Sequence, residues 1–146
     1  MPGAWQRPFH PLLCRAPAEA ALAARFALVG GLGVLVNLGA LWALTRLGIA
    51  PAWAAPVAIE LSILGNFVLN DRWALASLPR CPSWWRRLAT YHVAVAVGVG
   101  LNWFLVATLP FLGLPVLAAG VLGVGAAFVA NYTFSRTLVW SSRHVR

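Results

Sequence analysis

Asn66 and Asn70 stand four residues apart at the end of a long apolar run, and Asp71, Arg72 and Trp73 follow at once. A side-chain amide both donates and accepts, so two of them on one helix face could hold the hydroxyls of a polar ligand. An arginine just beyond could hold a phosphate, because its planar fork binds two oxygens together. Ala58 and Ser62 extend the same stripe at four-residue spacing, and Gly123, Ala127, Asn131 and Ser135, followed by Arg136, repeat the pattern. Two further runs carry Gly33 with Asn37 and Gly98 with Asn102, preceded by Val29 and Ala94. The candidate polar groove is therefore Asn37, Ser62, Asn66, Asn70, Asn102, Asn131 and Ser135, and the candidate phosphate grip is Arg25, Arg72 and Arg136. A plainer alternative stands beside each. In lipid, amides against small residues clamp helices together by about 0.6–2 kcal/mol each. Arginines at the end of a span anchor it to the headgroups.

The chain has only three acids. Glu60 lies about 18 Å along a helix from Arg72, where a carboxyl is costly to ionise unless paired. It points away from Ser62 and Asn66 on a helical wheel. Three roles stay open: a structural pair with Arg46, a ligand or proton role, or a subunit interface. Asp71 either orients Arg72 or simply ends a helix. Other chemistry is excluded by composition. All 11 basic residues are arginine, so there is no P-loop lysine, and Gly30, Gly31 and Gly33 are packing glycines. His10, His92 and His144 are scattered without metal spacing. Neither Cys14 nor Cys81 sits in a CxxC. No paired carboxylates or Ser–His–Asp set can be assembled. The expectation is a protein that is not an enzyme and needs no cofactor or metal.

These residues need elements to hold them. The chain has 146 residues, of which 61% are hydrophobic and 10% charged, with a mean hydropathy of +0.79. A soluble core of one domain cannot hide that much apolar surface, so the bilayer is the expected solvent. Four runs, 26–45, 53–70, 91–109 and 114–134, are each near the ~20 residues a helix needs to span hydrocarbon. Together they predict an all-α integral membrane protein with one transmembrane domain over residues 25–140. A loosely ordered arm, residues 1–24, precedes it and a tail, 141–146, follows. The first run is too long for a signal-peptide core and reads as a retained span. Ten arginines fall on one side of these spans and Arg46 alone on the other. The positive-inside rule then places both termini and the middle connection, 71–90, in the cytoplasm. A net charge of +8 fits anionic headgroups or a phosphate; no nucleic-acid-binding motif accompanies it. Tryptophans cluster at the predicted span ends, Trp42, Trp53 and Trp103 outside and Trp73, Trp84, Trp85 and Trp140 inside, as in an aromatic belt.

The halves also match. Adding 65 to a position brings Gly33 onto Gly98, Asn37 onto Asn102, Gly48 onto Gly113, Asn66 onto Asn131 and Asn70 onto Ser135. Each half holds two spans, so the fold is read as two tandem parallel repeats rather than inverted ones. The amides descend from the arginine-rich rim, Asn66 about 10 Å inside Arg72 and Asn37 about 18 Å from Arg25. A path for a polar headgroup would be laid out this way.

Arg25-Phe26, Gly30-Gly31, Asn37 and then Asn66-Phe67-x-x-Asn70-x-Arg72-Trp73 resemble the GtrA-like family of small four-span membrane proteins. A weaker echo is Asn131-Tyr132-x-x-Ser135-Arg136. Leu75 stands where the family usually has Phe, and Ser135 replaces the second Asn of the second copy. The resemblance implies translocation of a polyprenyl-phosphate-linked monosaccharide across a bacterial cytoplasmic membrane, for cell-surface polysaccharide synthesis with a membrane glycosyltransferase as partner. Two other readings compete: an anchor that recruits a glycosyltransferase without transport, and a small proton-coupled exporter using Glu60. Four short helices enclose little volume, so a homo-oligomer, a dimer first of all, is expected.

Overall fold

The computed structural model describes residues 15–79 and 83–140. Cys14, Cys81, His10, His144 and the 141–146 tail lie outside them. Four α-helices follow in order: α1 (Arg15–Arg46), α2 (Pro51–Leu69), α3 (Trp84–Thr108) and α4 (Val116–Phe134). Five-residue π turns prolong α2 over Asn70–Ala74 and α4 over Ser135–Val139, and a 3-10 turn, Leu109–Leu112, prolongs α3. All four are long and apolar enough to cross a membrane, the architecture of a multi-pass membrane protein.

Their ends differ from the hydropathic expectation for local reasons. The arm expected through residue 24 is helical from Arg15. Alanine fills six of the nine positions from 16 to 24, and alanine has the highest helix propensity. The connection expected over 71–90 shrinks to 75–83. Ser83 caps α3, its Oγ accepting the Arg86 N–H at 3.3 Å, so Arg86 and Arg87 belong to a helix rather than a loop. The short connections end in left-handed glycines, Gly48 at φ 85 and Gly113 at φ 88. At each, two N–H groups return to the preceding helix: Gly48 to Thr45 and Ile49 to Leu44, then Gly113 to Pro110 and Leu114 to Leu109. This is the Schellman pattern, which reverses the chain while satisfying end carbonyls.

The helices pack as two hairpins, α1 with α2 and α3 with α4, with fewer contacts between α2 and α3 or α1 and α4. The hairpins join chiefly at the arginine-rich end. There Phe67, fully buried, lies 5.3 Å from Trp84, 5.6 Å from Tyr91 and 6.0 Å from Trp140 between ring centroids. Phe26 packs on Phe128 and Tyr132 across α1 and α4. Trp140 is thus a core residue, 1% exposed, rather than a member of the belt. Its ring is drawn in because the indole N–H has a buried carboxylate to reach. Away from this end the large apolar side chains face outward, Leu117 and Phe111 among them, as they do where lipid is the solvent.

Candidate functional site

The π turn at Asn70–Ala74 closes with the Leu75 N–H on the Asn70 carbonyl, at 2.9 Å. A π turn adds one residue to a helical turn and re-aims the side chains beyond it. Here Asn70 and Asp71 face inward, 1% and 8% exposed, while Arg72 and Trp73 face outward. Asp71 does not orient Arg72. Its carboxylate accepts from Arg87 at 3.1 Å and from the Trp140 indole N–H at 3.0 Å. Both members of the ion pair are buried, so each is held by the other's charge. That cluster ties the first π turn to the start of α3 and the end of the second π turn.

Asn70 donates from Nδ2 to the Tyr91 hydroxyl at 3.2 Å, and its Oδ1 is buried with no hydrogen-bond partner. Ser62 donates to the Gly33 carbonyl at 2.9 Å, tying α2 to α1. The three deeper amides each sit in a glycine notch. A Cβ at Gly33 would overlap the amide of Asn66, one at Gly98 that of Asn131, and one at Gly123 that of Asn102. The glycine Cα–H therefore faces the amide, a weak hydrogen bond that only a side-chain-free residue permits. The Asn102 and Asn131 oxygens have no other partner. An unsatisfied amide oxygen away from water is costly, and such a group is a ready acceptor for a hydroxyl brought to it.

Between the hairpins lies a cavity of about 300 Å³ to which all four helices contribute. Ser62, Asn66, Asn70, Tyr91 and Asn131 supply its polar wall. A second cavity of about 420 Å³ adjoins it, with Asn102 and Asn131 on its wall and apolar side chains elsewhere. Asn37, half-buried on α1, and Ser135, fully buried on the second π turn with an unpartnered Oγ, line neither.

The rim arginines are separately engaged. Arg25 is exposed with its guanidinium 5.9 Å from the centroid of Trp73, whose chain neighbour Arg72 is also exposed. Arg136 pairs with Glu19 of α1. Glu60 is not paired with Arg46, which lies over Trp42 instead. Glu60 meets His92 of α3 at 3.0 Å, and the other ring nitrogen of His92 lies 2.9 Å from the Leu88 carbonyl. That carbonyl can only accept, so Nδ1 carries a proton, and the Glu60 contact then shares a second one. Helix geometry put Glu60 level with Asn37 and left Arg46 as a candidate mate; the partner it meets is a histidine from the other hairpin.

Arg87, Tyr91, His92 and Glu19 were missed from the sequence. Arg87 looked like one loop charge among several, and only the Ser83 cap signals that it begins a helix. Tyr91 had a usable signal: it falls 65 residues after Phe26, and both are buried. Among the described residues no three His, Cys, Asp or Glu side chains converge as metal ligands do.

Comparison with known proteins places this geometry. The family described as GtrA/DPMS, transmembrane domain, matches residues 25–140. A dolichol-phosphate mannosyltransferase of Pyrococcus furiosus is 37% identical over 118 residues, which cover 81% of this chain and 33% of that relative. The chain thus spans about a third of the length of the relative it matches.

Proposed function

This chain belongs to the GtrA/DPMS transmembrane-domain family, and on that premise we propose that it moves a polyprenyl-phosphate-linked monosaccharide across the membrane. The cavity walled by Ser62, Asn66, Asn70, Tyr91 and Asn131 carries the reading. It places unsatisfied amide oxygens inside a bundle whose outer face is apolar. Sugar hydroxyls entering it exchange water for fixed amides, which lowers the cost of taking a headgroup through hydrocarbon. Arg25 and Arg72, exposed at the rim, hold the phosphate. The isoprenoid chain stays in the bilayer, so no ATP site is needed, and no covalent step occurs.

The two hairpins are tandem parallel copies about 65 residues apart, with the arginine-rich end and both termini in the cytoplasm. In support, α2 and α4, their π turns and the glycine turns preceding them recur at that offset. The working unit is a homo-oligomer beside a membrane glycosyltransferase of a bacterial cytoplasmic membrane. The test is reconstitution into liposomes with a polyprenyl-phosphate sugar. Transbilayer movement should exceed that of protein-free vesicles and fall about tenfold in Asn70→Ala, the worth of one well-made hydrogen bond. Movement no faster than in empty vesicles would sink the reading.

One observation favours a second reading, a membrane anchor for a glycosyltransferase: the matched relative is named as a transferase, and this chain corresponds to only a third of it. An anchor would keep its function in cells through Asn66→Ala and Arg72→Ala but lose it when an exposed helix face is altered.

A further inference from the structure

Two seams separate the hairpins, and they differ. The α2–α3 seam is bridged by Asn70 to Tyr91 near the rim and by Glu60 to His92 further along. The α1–α4 seam is closed near the rim by Phe26 on Phe128 and Tyr132 and by the pairing of Glu19 with Arg136. Beyond that closure the second cavity runs between α1 and α4. Gly30 and Gly31 give its α1 wall no side chains, and a Cβ at either would meet nothing. Val34, Val124 and Ala127 complete an apolar lining. The two cavities share Phe26, Gly30, Val99 and Asn131, so apolar groove and polar chamber are neighbouring parts of one cleft. The chamber independently calls for a ligand: Asn70, 1% exposed, lines it with a buried, unpartnered oxygen.

We propose that the α1–α4 seam seats the isoprenoid chain of the lipid-linked substrate and is the lateral door through which its headgroup reaches the amide chamber. The inference rests on the transport reading and adds the route. A headgroup tethered to a lipid tail must enter sideways through a gap whose walls suit both hydrocarbon and sugar. Beyond the rim contacts, the α2–α3 seam is bridged again by Glu60 and His92, whereas the α1–α4 seam carries an apolar groove continuous with the chamber. The α2–α3 seam, bridged both at the rim and further along, acts as the hinge side, holding the hairpins together while the other side parts.

The experiment uses the full chain in liposomes with a polyprenyl phosphate carrying a photoreactive diazirine on its isoprenoid chain. Adducts mapped by mass spectrometry should fall on residues 27–34 of α1 and 124–128 of α4. Unlabelled polyprenyl phosphate should suppress them, and a large excess of phosphatidylglycerol should not. Gly31→Leu fills the groove and should lower adduct yield about tenfold, as crowding a packed site by one side chain does. Gly125→Leu adds the same bulk on α4, outside both cavities, and should leave the yield unchanged. Monodisperse elution of both variants controls for folding, and the wild-type adduct map decides the question even if Gly31→Leu does not fold. Adducts concentrated on α2 and the facing side of α3, around Ile59 and Val95, would overturn the assignment. So would suppression by phosphatidylglycerol, or an unchanged yield in folded Gly31→Leu. Sugar-lipid movement in the same liposomes separates the two readings. Movement with adducts on the wrong seam removes the door alone, whereas seam adducts without movement remove transport and leave a lipid site.

Discussion

At the first π turn Asp71 faces inward to a buried arginine; at the second, Arg136 reaches a half-exposed glutamate. The backbones match closely. Each turn is five residues long, each closes with an N–H returning to the first carbonyl at 2.9 Å, and each begins on a fully buried polar residue, Asn70 or Ser135. The chemistry does not match. Asn70 has a tyrosine partner and a cavity to face, whereas Ser135 has neither. Where Asp71 stands in the first turn, Arg136 stands in the second. A helix end of fixed shape has been given a polar chamber in one half and a packing role in the other. The lesson is that backbone geometry and site chemistry vary independently here, because a π turn is held by main-chain hydrogen bonds and leaves side chains free to differ.

Three outcomes would break or sharpen that contrast. The largest effect should come from the ion pairs. Arg87→Ala strands a buried carboxylate and should cost about 3–5 kcal/mol in reversible unfolding in detergent micelles, whereas Arg136→Ala should cost less than about 1 kcal/mol because its pair is partly solvated. Equal losses would mean that the two turns are clamped alike. Next come the glycine notches, which both halves possess. Gly33→Ala and Gly98→Ala should each cost about 1–3 kcal/mol through overpacking against an amide. Gly125→Ala, with open space around its added methyl, should stay within about 0.5 kcal/mol. Thermal melts of the three variants would test this, and an unaffected Gly98→Ala would place the Asn131 amide elsewhere. The smallest effect belongs to Tyr91→Phe, which removes the hydroxyl that Asn70 uses and should cost about 1 kcal/mol. The same measurement on Phe26→Leu, at the equivalent position of the first half, should show a packing loss with no hydrogen-bond component, so that the loss from Asn70→Ala adds to it in full. Coupling between Tyr91→Phe and Asn70→Ala in a double-mutant cycle, and none between Phe26→Leu and Asn70→Ala, is the expected pattern.

Much of the architecture was legible because hydrocarbon imposes a length and a composition on any helix that crosses it. The four apolar runs, the glycine turns at Gly48 and Gly113 and the amide stripe are all local patterns. Helix ends were less legible. A hydropathy window stops where charge begins, yet the alanines after Arg15 and the Ser83 cap continue helices into polar sequence. The candidate site was legible in its residue types and not in its partners. Ser62, Asn66, Asn70 and Asn131 were expected on one groove and share a cavity wall, while Asn37 and Ser135, expected with them, lie off it.

What the sequence alone determined is therefore everything that depends on near neighbours: four spans, their turns, the one-sided arginines and the i, i+4 amides. Helical period and bilayer thickness set those without reference to the rest of the chain. The tertiary structure alone decided which arginine Asp71 holds, that Glu60 meets His92 rather than Arg46, and which glycine receives each amide. Each of those is a distance between helices, and crossing position and rotation are set by the packing of all four together. No spacing along the chain encodes them.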